Sequence, residues 1–278
     1  MNAKDLKGKW ALITGASSGI GREFAVLLAS KGMNLVIAAR RKERLEKMKD
    51  DLASRFGIEV CPVQVDLSTK DGAKALFESA TENGRRISML INNAGNGSYG
   101  HFSMHSWLEY SSTIQLNAVS LVELSFLFSN HMKSQQNQCY IANVASVAAF
   151  QPVPMFTVYA ATKGFVRFFS EAMRYEFKES NISVSCICPG GTYTEFLENA
   201  GQKLGKTAHM GMMSASDVVN ISLRGMLNRK NLIAPGLLNV VMYWVSNIIP
   251  TFLMMRLAYT VMSKTVQVTE KKGVALNS

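Results

Sequence analysis

Acidic residues nearly vanish toward the C-terminal end. From Arg224 onward seven basic residues (Arg224, Arg229, Lys230, Arg256, Lys264, Lys271 and Lys272) are set against one acid, Glu270, and the whole 278-residue chain carries a formal net charge of +10. No zinc-finger spacing, basic-region helix or aromatic-rich RNA signature accompanies that charge, which argues against nucleic acid and leaves an anionic membrane surface, or no partner at all, for the basic end. Cysteine is sparse. Cys61, Cys139, Cys186 and Cys188 fall in apolar strand-like runs and make no four-ligand spacing with His101, His105, His131 or His209, so no metal site is expected and the thiols read as core residues of a reducing compartment. No long hydrophobic run precedes the first apolar strand near Trp10; a secretory signal is not expected, and the expected location is cytoplasmic. No Pro/Ser-rich linker and no repeat divides the chain, and 47% hydrophobic content supplies one sizeable core.

What is present is alternation. Short apolar, β-branched runs near 10–14, 34–39, 60–65, 88–93, 138–144, 182–188 and 231–235 are separated by longer helical patterns, the signature of parallel βαβ units. Seven strands are therefore predicted in an α/β domain over residues 1–235, followed by an apolar helical extension over 236–278.

The first strand runs directly into TGASSGIGREF, which puts Gly15, Gly19 and Gly21 at a strand-to-helix turn. Glycine serves there because the chain turns tightly, a pyrophosphate must approach the backbone, and the helix must pack close to the strand. The helix N-terminus then offers free N–H groups to phosphate. Strand two ends Ala38-Ala39-Arg40-Arg41, with no acid to grip a free ribose 2′-hydroxyl. Arg40 and Arg41 can instead pair with a 2′-phosphate, with Arg22 and Ser17 as helpers; of the charged run RRKERLEKMKDDLASRFG, Arg40 is assigned to the cofactor and the later charges read as a solvated helix face.

Tyr159 and Lys163 stand four apart in a helical pattern, on one face with Cβ atoms roughly 5–6 Å apart. An ammonium beside a phenol favours the phenolate, so the Tyr159 pKa is expected below its usual value of about 10, suiting proton exchange near neutral pH. Ser146 follows the strand run CYIANV, where a strand end can present its hydroxyl to the same space.

Together these motifs resemble the short-chain dehydrogenase/reductase family across most of residues 8–235, and within it DltE-type, hydroxysteroid and 3-oxoacyl reductase-like members. The resemblance implies a single Rossmann-type, doubly wound domain. It implies a catalytic set of Asn117, Ser146, Tyr159 and Lys163, with Asn117 positioning a water that links Lys163 to solvent. It also implies NADP(H) contacts from Gly15, Ser17, Ser18, Gly19, Ile20, Gly21 and Arg40, from Asp66 and Leu67 on the adenine side, from Asn93, Ala94 and Gly95 of the NNAG run, from Tyr159 and Lys163, and from Pro189, Gly190, Thr192 and Thr194 of the PG loop. Thr192 departs from the family's usual Val or Ile, and strand seven lacks the frequent DGG ending. The expected function is hydride transfer between NADP(H) and a carbonyl or secondary alcohol of a small, apolar substrate. The alternative is an NADP(H)-binding sensor or scaffold without turnover, and a homo-oligomer is expected in either case. The stretch Phe196–Ser214, with Leu197, Leu204, Met210, Met212 and Met213, suits a substrate lid or a loop anchored to the core; Asn96–Gly100 is expected to border the substrate mouth.

Asn231 to Met255 is 25 residues without a formal charge, long enough to raise a transmembrane helix. Strand seven takes the first of these, Asn239 and Asn247 interrupt the rest, and Pro250 breaks a single helix. Two short helices are predicted, packed on the domain, on a partner subunit or peripherally on a membrane.

Overall fold

The computed structural model describes residues 6–196, 200–204 and 212–268. Its strands are β1 (Trp10–Thr14), β2 (Asn34–Ala39), β3 (Val60–Gln64), β4 (Ile87–Asn92), β5 (Cys139–Val144), β6 (Ile182–Ile187), β7 (Gln202–Leu204), β8 (Leu232–Ile233) and β9 (Val266–Val268). Its helices are α1 (Gly19–Ser30), α2 (Lys42–Phe56), α3 (Gly72–Thr81), α4 (Trp107–Ile114), α5 (Ser120–Lys133), α6 (Thr157–Glu176), α7 (Ala215–Leu227), α8 (Leu237–Ile248) and α9 (Thr251–Thr265). Seven strands form one parallel sheet in the order β3-β2-β1-β4-β5-β6-β8. The chain belongs to the doubly wound Rossmann-like class.

Strand alternation sorts the core into two layers. Ala11 and Ile13 of β1, Leu35 and Ile37 of β2, and Met89 and Ile91 of β4 face α1, α2 and α7 through Phe24, Leu28, Leu45, Leu52, Val219 and Met226. Leu12, Val36, Leu90, Ile141 and Val184 face the other way, against Leu76 of α3, Leu124 and Phe128 of α5, and Met173 of α6. With both faces covered, the strands read as unbroken apolar runs, which is why they are legible in the sequence.

Strand order reverses between β1 and β4, and the crevice at the C-terminal ends of these strands is where such sheets take their ligands. The glycine turn closes one side of it. Gly15 and Gly19 hold φ of 66° and 55°, and a Cβ on Gly21 would run into the Gly15 carbonyl oxygen and Asn93 Nδ2. Asn93 ties the other side down: its N–H and that of Ala94 both donate to Thr14 Oγ1 at 2.9 Å, and its Nδ2 donates to Thr14 O at 2.9 Å.

Three features differ from the sequence expectation. The seventh strand is two residues, Leu232–Ile233, shorter than the apolar run that contains it, because Pro235 and Gly236 end the pairing and α8 begins at Leu237. A π-helical turn, Gln115–Val119, interrupts the α4 to α5 pattern. Finally, β7 pairs antiparallel with β9 at Gln202–Leu204 and Val266–Val268, tying the segment after β6 to the chain beyond α9. The predicted pair of C-terminal helices is observed as α8 and α9, with Pro250 just before α9.

Gly21→Ala is expected to lower the unfolding free energy by about 1–3 kcal/mol, the usual cost of forcing a methyl into a filled space, seen as a lower urea midpoint at unchanged slope. An unaltered midpoint would show that the turn yields and that its packing is not specific.

Candidate active site

The end of β5, the π-turn and the first turns of α6 converge beside the crevice. Beyond Val144 the chain leaves the sheet; Ser146 caps the short turn Val147–Ala149, its Oγ accepting from Ala148 N at 3.2 Å, and hydrogen-bonds the Tyr159 side chain. Met155 takes a left-handed φ of 65° two residues before α6, and its carbonyl accepts from Gly100 N at 2.8 Å. Non-glycine residues in that region persist only where their surroundings hold them. The kink sets the start of α6, and with it Tyr159 and Lys163.

Both side chains are buried. Lys163 Nζ donates to Val144 O at 2.8 Å and lies 5.6 Å from the centre of the Tyr159 ring. Asn117, fully enclosed in the π-turn, pairs with the Asn96 backbone in both directions, Oδ1 accepting from Asn96 N at 3.0 Å and Nδ2 donating to Asn96 O at 2.8 Å, with Thr162 Oγ1 at 3.1 Å from Nδ2. π-turns of this kind recur at functional sites; here one turns Asn117 toward Gly95, where an added Cβ would lie 3.2 Å from Asn117 Oδ1 and 3.3 Å from Lys163 Nζ. The structure therefore brings Asn117, Ser146, Tyr159 and Lys163 to one place.

The electrostatics correct the expectation of a lowered Tyr159 pKa. Burial dominates and pushes the phenol up to about 12, the Ser146 hydrogen bond opposing it. Burial likewise brings the Lys163 ammonium down to about 8. Loss of water disfavours each charged form and is the largest cause of both shifts. The phenol is therefore protonated at pH 7 and available as a neutral hydrogen-bond donor.

The cofactor-side residues line the same crevice. α1 has neither a side-chain cap nor an acid in its first turn, so its leading N–H groups suit a phosphate. Thr194 packs over Gly19, with 3.0 Å between its Cγ2 and a Cβ built there. Thr192 is buried and donates to Gly190 O at 3.0 Å, while the Asn239 side chain of α8 fills the space above Gly190. Asp66 accepts from the Ser68 amide at 2.9 Å and hydroxyl at 2.7 Å; burial pushes its carboxyl up, but those bonds and the Arg40 charge outweigh it, leaving the pKa below the usual carboxylate value. Leu67 is buried beside it, its carbonyl accepting from Ser120. Arg40 is exposed. Arg41 is the guanidinium gathered against the turn: Nε and Nη2 reach Ser17 Oγ at 3.2 and 3.0 Å, Nη2 reaches Ser18 Oγ at 2.9 Å, and Nη1 reaches Glu195 at 2.8 Å. Asn96 Oδ1 is buried without a partner among the described residues, an unspent acceptor next to Asn117. A nicotinamide dinucleotide fits this set: φ-positive glycines and an uncapped helix start suit its pyrophosphate.

An aromatic cluster covers the substrate side. Tyr159 stacks on Phe156 at 4.2 Å and sits 5.4 Å from Phe196, while Tyr99, almost wholly buried, meets Phe156 edge-on and donates to Met262 O of α9 at 3.0 Å. Gly97 lies against the Tyr159 ring, so Asn96–Gly100 borders the site. Of the suggested lid residues, Leu197 and Met210 lie outside the described residues, as does the Leu204 side chain. The backbone of Met213 pairs with Gly191 and Tyr193, and Met212 packs against Gly191. Sequence reasoning placed Tyr99 in the Asn96–Gly100 border but missed its partner Met262, and it missed Glu195 and Thr162; Met262 and Glu195 meet partners far away in the chain, and Thr162 depends on the π-turn.

A family model described as short chain dehydrogenase matches residues 9–205, and the chain belongs to that family. It is 32% identical over 206 residues to the 17-beta-hydroxysteroid dehydrogenase type 3 of Mus musculus, covering 72% of this chain and 66% of that protein. It is 30% identical over 193 residues to the very-long-chain 3-oxoacyl-CoA reductase of Bos taurus, covering 66% and 59%. These alignments thus span less than two thirds of the relatives' own lengths. Among solved structures, a short-chain dehydrogenase from Sphingobium yanoikuyae in complex with NADPH is 30% identical with a TM-score of 0.77, covering 97% of this chain and all of that one. A family structure from Burkholderia phymatum in complex with NAD shares the fold at 24% identity and a TM-score of 0.78, covering 97% and 99%.

A lysine whose folded pKa lies below its unfolded one binds fewer protons folded than unfolded between the two values, so stability rises with pH in that window. Cofactor-free wild type is therefore expected to gain unfolding free energy relative to Lys163→Met between about pH 8 and about pH 10. Parallel pH curves in urea denaturation would show that Lys163 reaches water.

Proposed function

We propose that the protein is an NADP(H)-dependent oxidoreductase that moves a hydride between the nicotinamide and a carbonyl or secondary alcohol of a small, apolar substrate. The observation that carries this is the set of buried Tyr159, Lys163 and Asn117 with the half-buried Ser146 at the C-terminal end of the sheet, beside the glycine turn. A protein that only bound a dinucleotide would have no physical need to desolvate an ammonium beside a phenol.

The nicotinamide supplies the hydride. In the reducing direction Ser146 Oγ–H donates a hydrogen bond to the substrate oxygen and Tyr159 passes its proton to that oxygen as the carbonyl carbon is reduced, giving the alcohol and a phenolate. Lys163, held by the Val144 carbonyl, stabilises the phenolate, and Asn117 holds the Asn96 backbone and Thr162 in place beside it. General acid help of this kind contributes about 10²–10⁴ in rate, with alignment supplying more. The Phe156, Phe196, Tyr99 and Met262 surround suits an apolar substrate. The missing acid at Ala39, with Arg41 against Ser17 and Ser18 and with Arg40 beside it, supports preference for the 2′-phosphate.

A cytoplasmic homo-oligomer fits the exposed Phe126 of α5 and Phe165 and Phe168 of α6, an apolar face for a second copy. Peripheral membrane contact fits the C-terminal helices. No helix among the described residues is long and apolar enough to cross a membrane. Leu237, Val241, Trp244 and Ile248 form an exposed stripe along α8, α9 turns inward through Met254, Ala258 and Met262, and the nearby charge is basic.

Tyr159→Phe is expected to keep NADPH affinity while losing nearly all turnover across a panel of carbonyls; comparable activity would end its role as the acid. Arg41→Ala is expected to erase most of the NADP(H) preference, roughly 10- to 100-fold for one charge-assisted phosphate contact, and an unchanged ratio of cofactor affinities would remove Arg41 from the phosphate site. Wild type is expected to float with phosphatidylcholine vesicles containing about a third phosphatidylglycerol and to be released by high salt, whereas Trp244→Glu with Ile248→Glu stays in solution. Failure of the wild type to float would leave the stripe to the domain or to a partner subunit.

A further inference from the structure

Glu195 occupies an unusual place. Each oxygen of its carboxylate is taken by a different guanidinium, Oε2 by Arg41 Nη1 at 2.8 Å and Oε1 by Arg44 Nη1 at 2.6 Å. The two arginines belong to the start of α2, about 150 residues away in sequence, and the pairs bridge the lip formed by β2 and α2 to the loop that follows β6. The same Arg41 guanidinium is held on its other edge by the Ser17 and Ser18 hydroxyls. All three side chains are exposed by about 40–50%, where ion pairs contribute little to stability. Two arginines converging on one anion in the geometry a phosphate takes, at the mouth of a phosphate-binding turn, form an anion site filled from within.

Resting on the NADP(H) reading above, we infer that Glu195 is a specificity-determining residue: its carboxylate stands in for the cofactor's 2′-phosphate on Arg41 and Arg44 and must give way when NADP(H) binds. The exchange follows from shared donors: the Nη1 atoms of Arg41 and Arg44 are both taken by the carboxylate, and a phosphate of nearly −2 placed on the same donors meets a like charge unless the carboxylate leaves. NAD(H) brings no such phosphate and leaves the pair intact. The guanidiniums hold the Glu195 carboxyl below the usual carboxylate value, so it is a charged competitor throughout the neutral range. Glu195 also lies between Thr194, packed over Gly19, and Phe196, whose ring is 5.4 Å from that of Tyr159. Its release therefore unfastens the loop at the substrate side when the phosphorylated cofactor arrives, and only then.

The test is the dissociation constant of NADPH and of NADH, by cofactor fluorescence, for the full chain as wild type, Glu195→Gln and Arg44→Gln. Glu195→Gln is expected to tighten NADPH by about 3- to 5-fold, the upper range of an exposed charge pair, with NADH unchanged; Arg44→Gln is expected to weaken NADPH by a similar factor, again with NADH unchanged. A merely structural ion pair predicts the same sign from either side. The inference is overturned if both variants weaken NADPH, if Glu195→Gln leaves NADPH unchanged, or if it shifts NADPH and NADH equally. A wild type that binds NADH more tightly than NADPH overturns the cofactor reading instead, and the opposite signs of the two variants still decide the role of Glu195.

Discussion

The burial of the Lys163 ammonium beside the Tyr159 phenol is the constraint around which the rest of the site is built. A cation taken out of water needs fixed dipoles, and here the Val144 carbonyl at the end of β5 supplies one at 2.8 Å. That couples the register of the central sheet to the position of α6. The cost of desolvation appears in both partners, the lysine brought down toward 8 and the tyrosine pushed up toward 12. Groups shifted this far by burial cluster at functional sites, which supports the catalytic reading proposed above.

The surrounding polar groups are arranged to spare that pair further disorder. Asn92 Nδ2 donates to Asn143 Oδ1 at 2.9 Å and to Ser125 Oγ at 3.1 Å, and Asn143 Nδ2 to Ser170 Oγ at 3.0 Å, a buried chain linking β4, β5, α5 and α6. Asn117 makes a second group of buried hydrogen bonds with Asn96 and Thr162. Networks of this kind favour one arrangement of their members, although Asn92 Oδ1 stays buried without a partner among the described residues. On the apolar side, Tyr99 ties the loop after β4 to the end of α9. The least polar segment of the chain thus forms part of the wall of the site and is more than an appendage.

The sheet and the crevice were legible in the sequence because each rests on local rules. Strands covered on both faces must be apolar throughout, so all seven could be placed from their runs alone. Gly15, Gly19 and Gly21 announce a turn that no side chain could make, and Tyr159 and Lys163 share a helix face at a spacing of four. The division of the C-terminal tail into two helices followed from Pro250.

Tertiary structure decided what depends on distance through space. Whether Tyr159 ionises easily is a balance between a nearby charge and lost water; the spacing discloses the charge, while only the fold discloses the depth of burial, and burial won. Neighbouring arginines are equivalent in sequence, yet the backbone turn into α2 sends Arg41 toward Ser17 and Ser18 and leaves Arg40 exposed. The π-turn that aims Asn117, and the meeting of Glu195 with two arginines from the far side of the crevice, have no local signature either. What the sequence determined by itself was the α/β frame and the chemical identity of the groups at its open end; which charges meet, and how little water reaches them, was settled by packing.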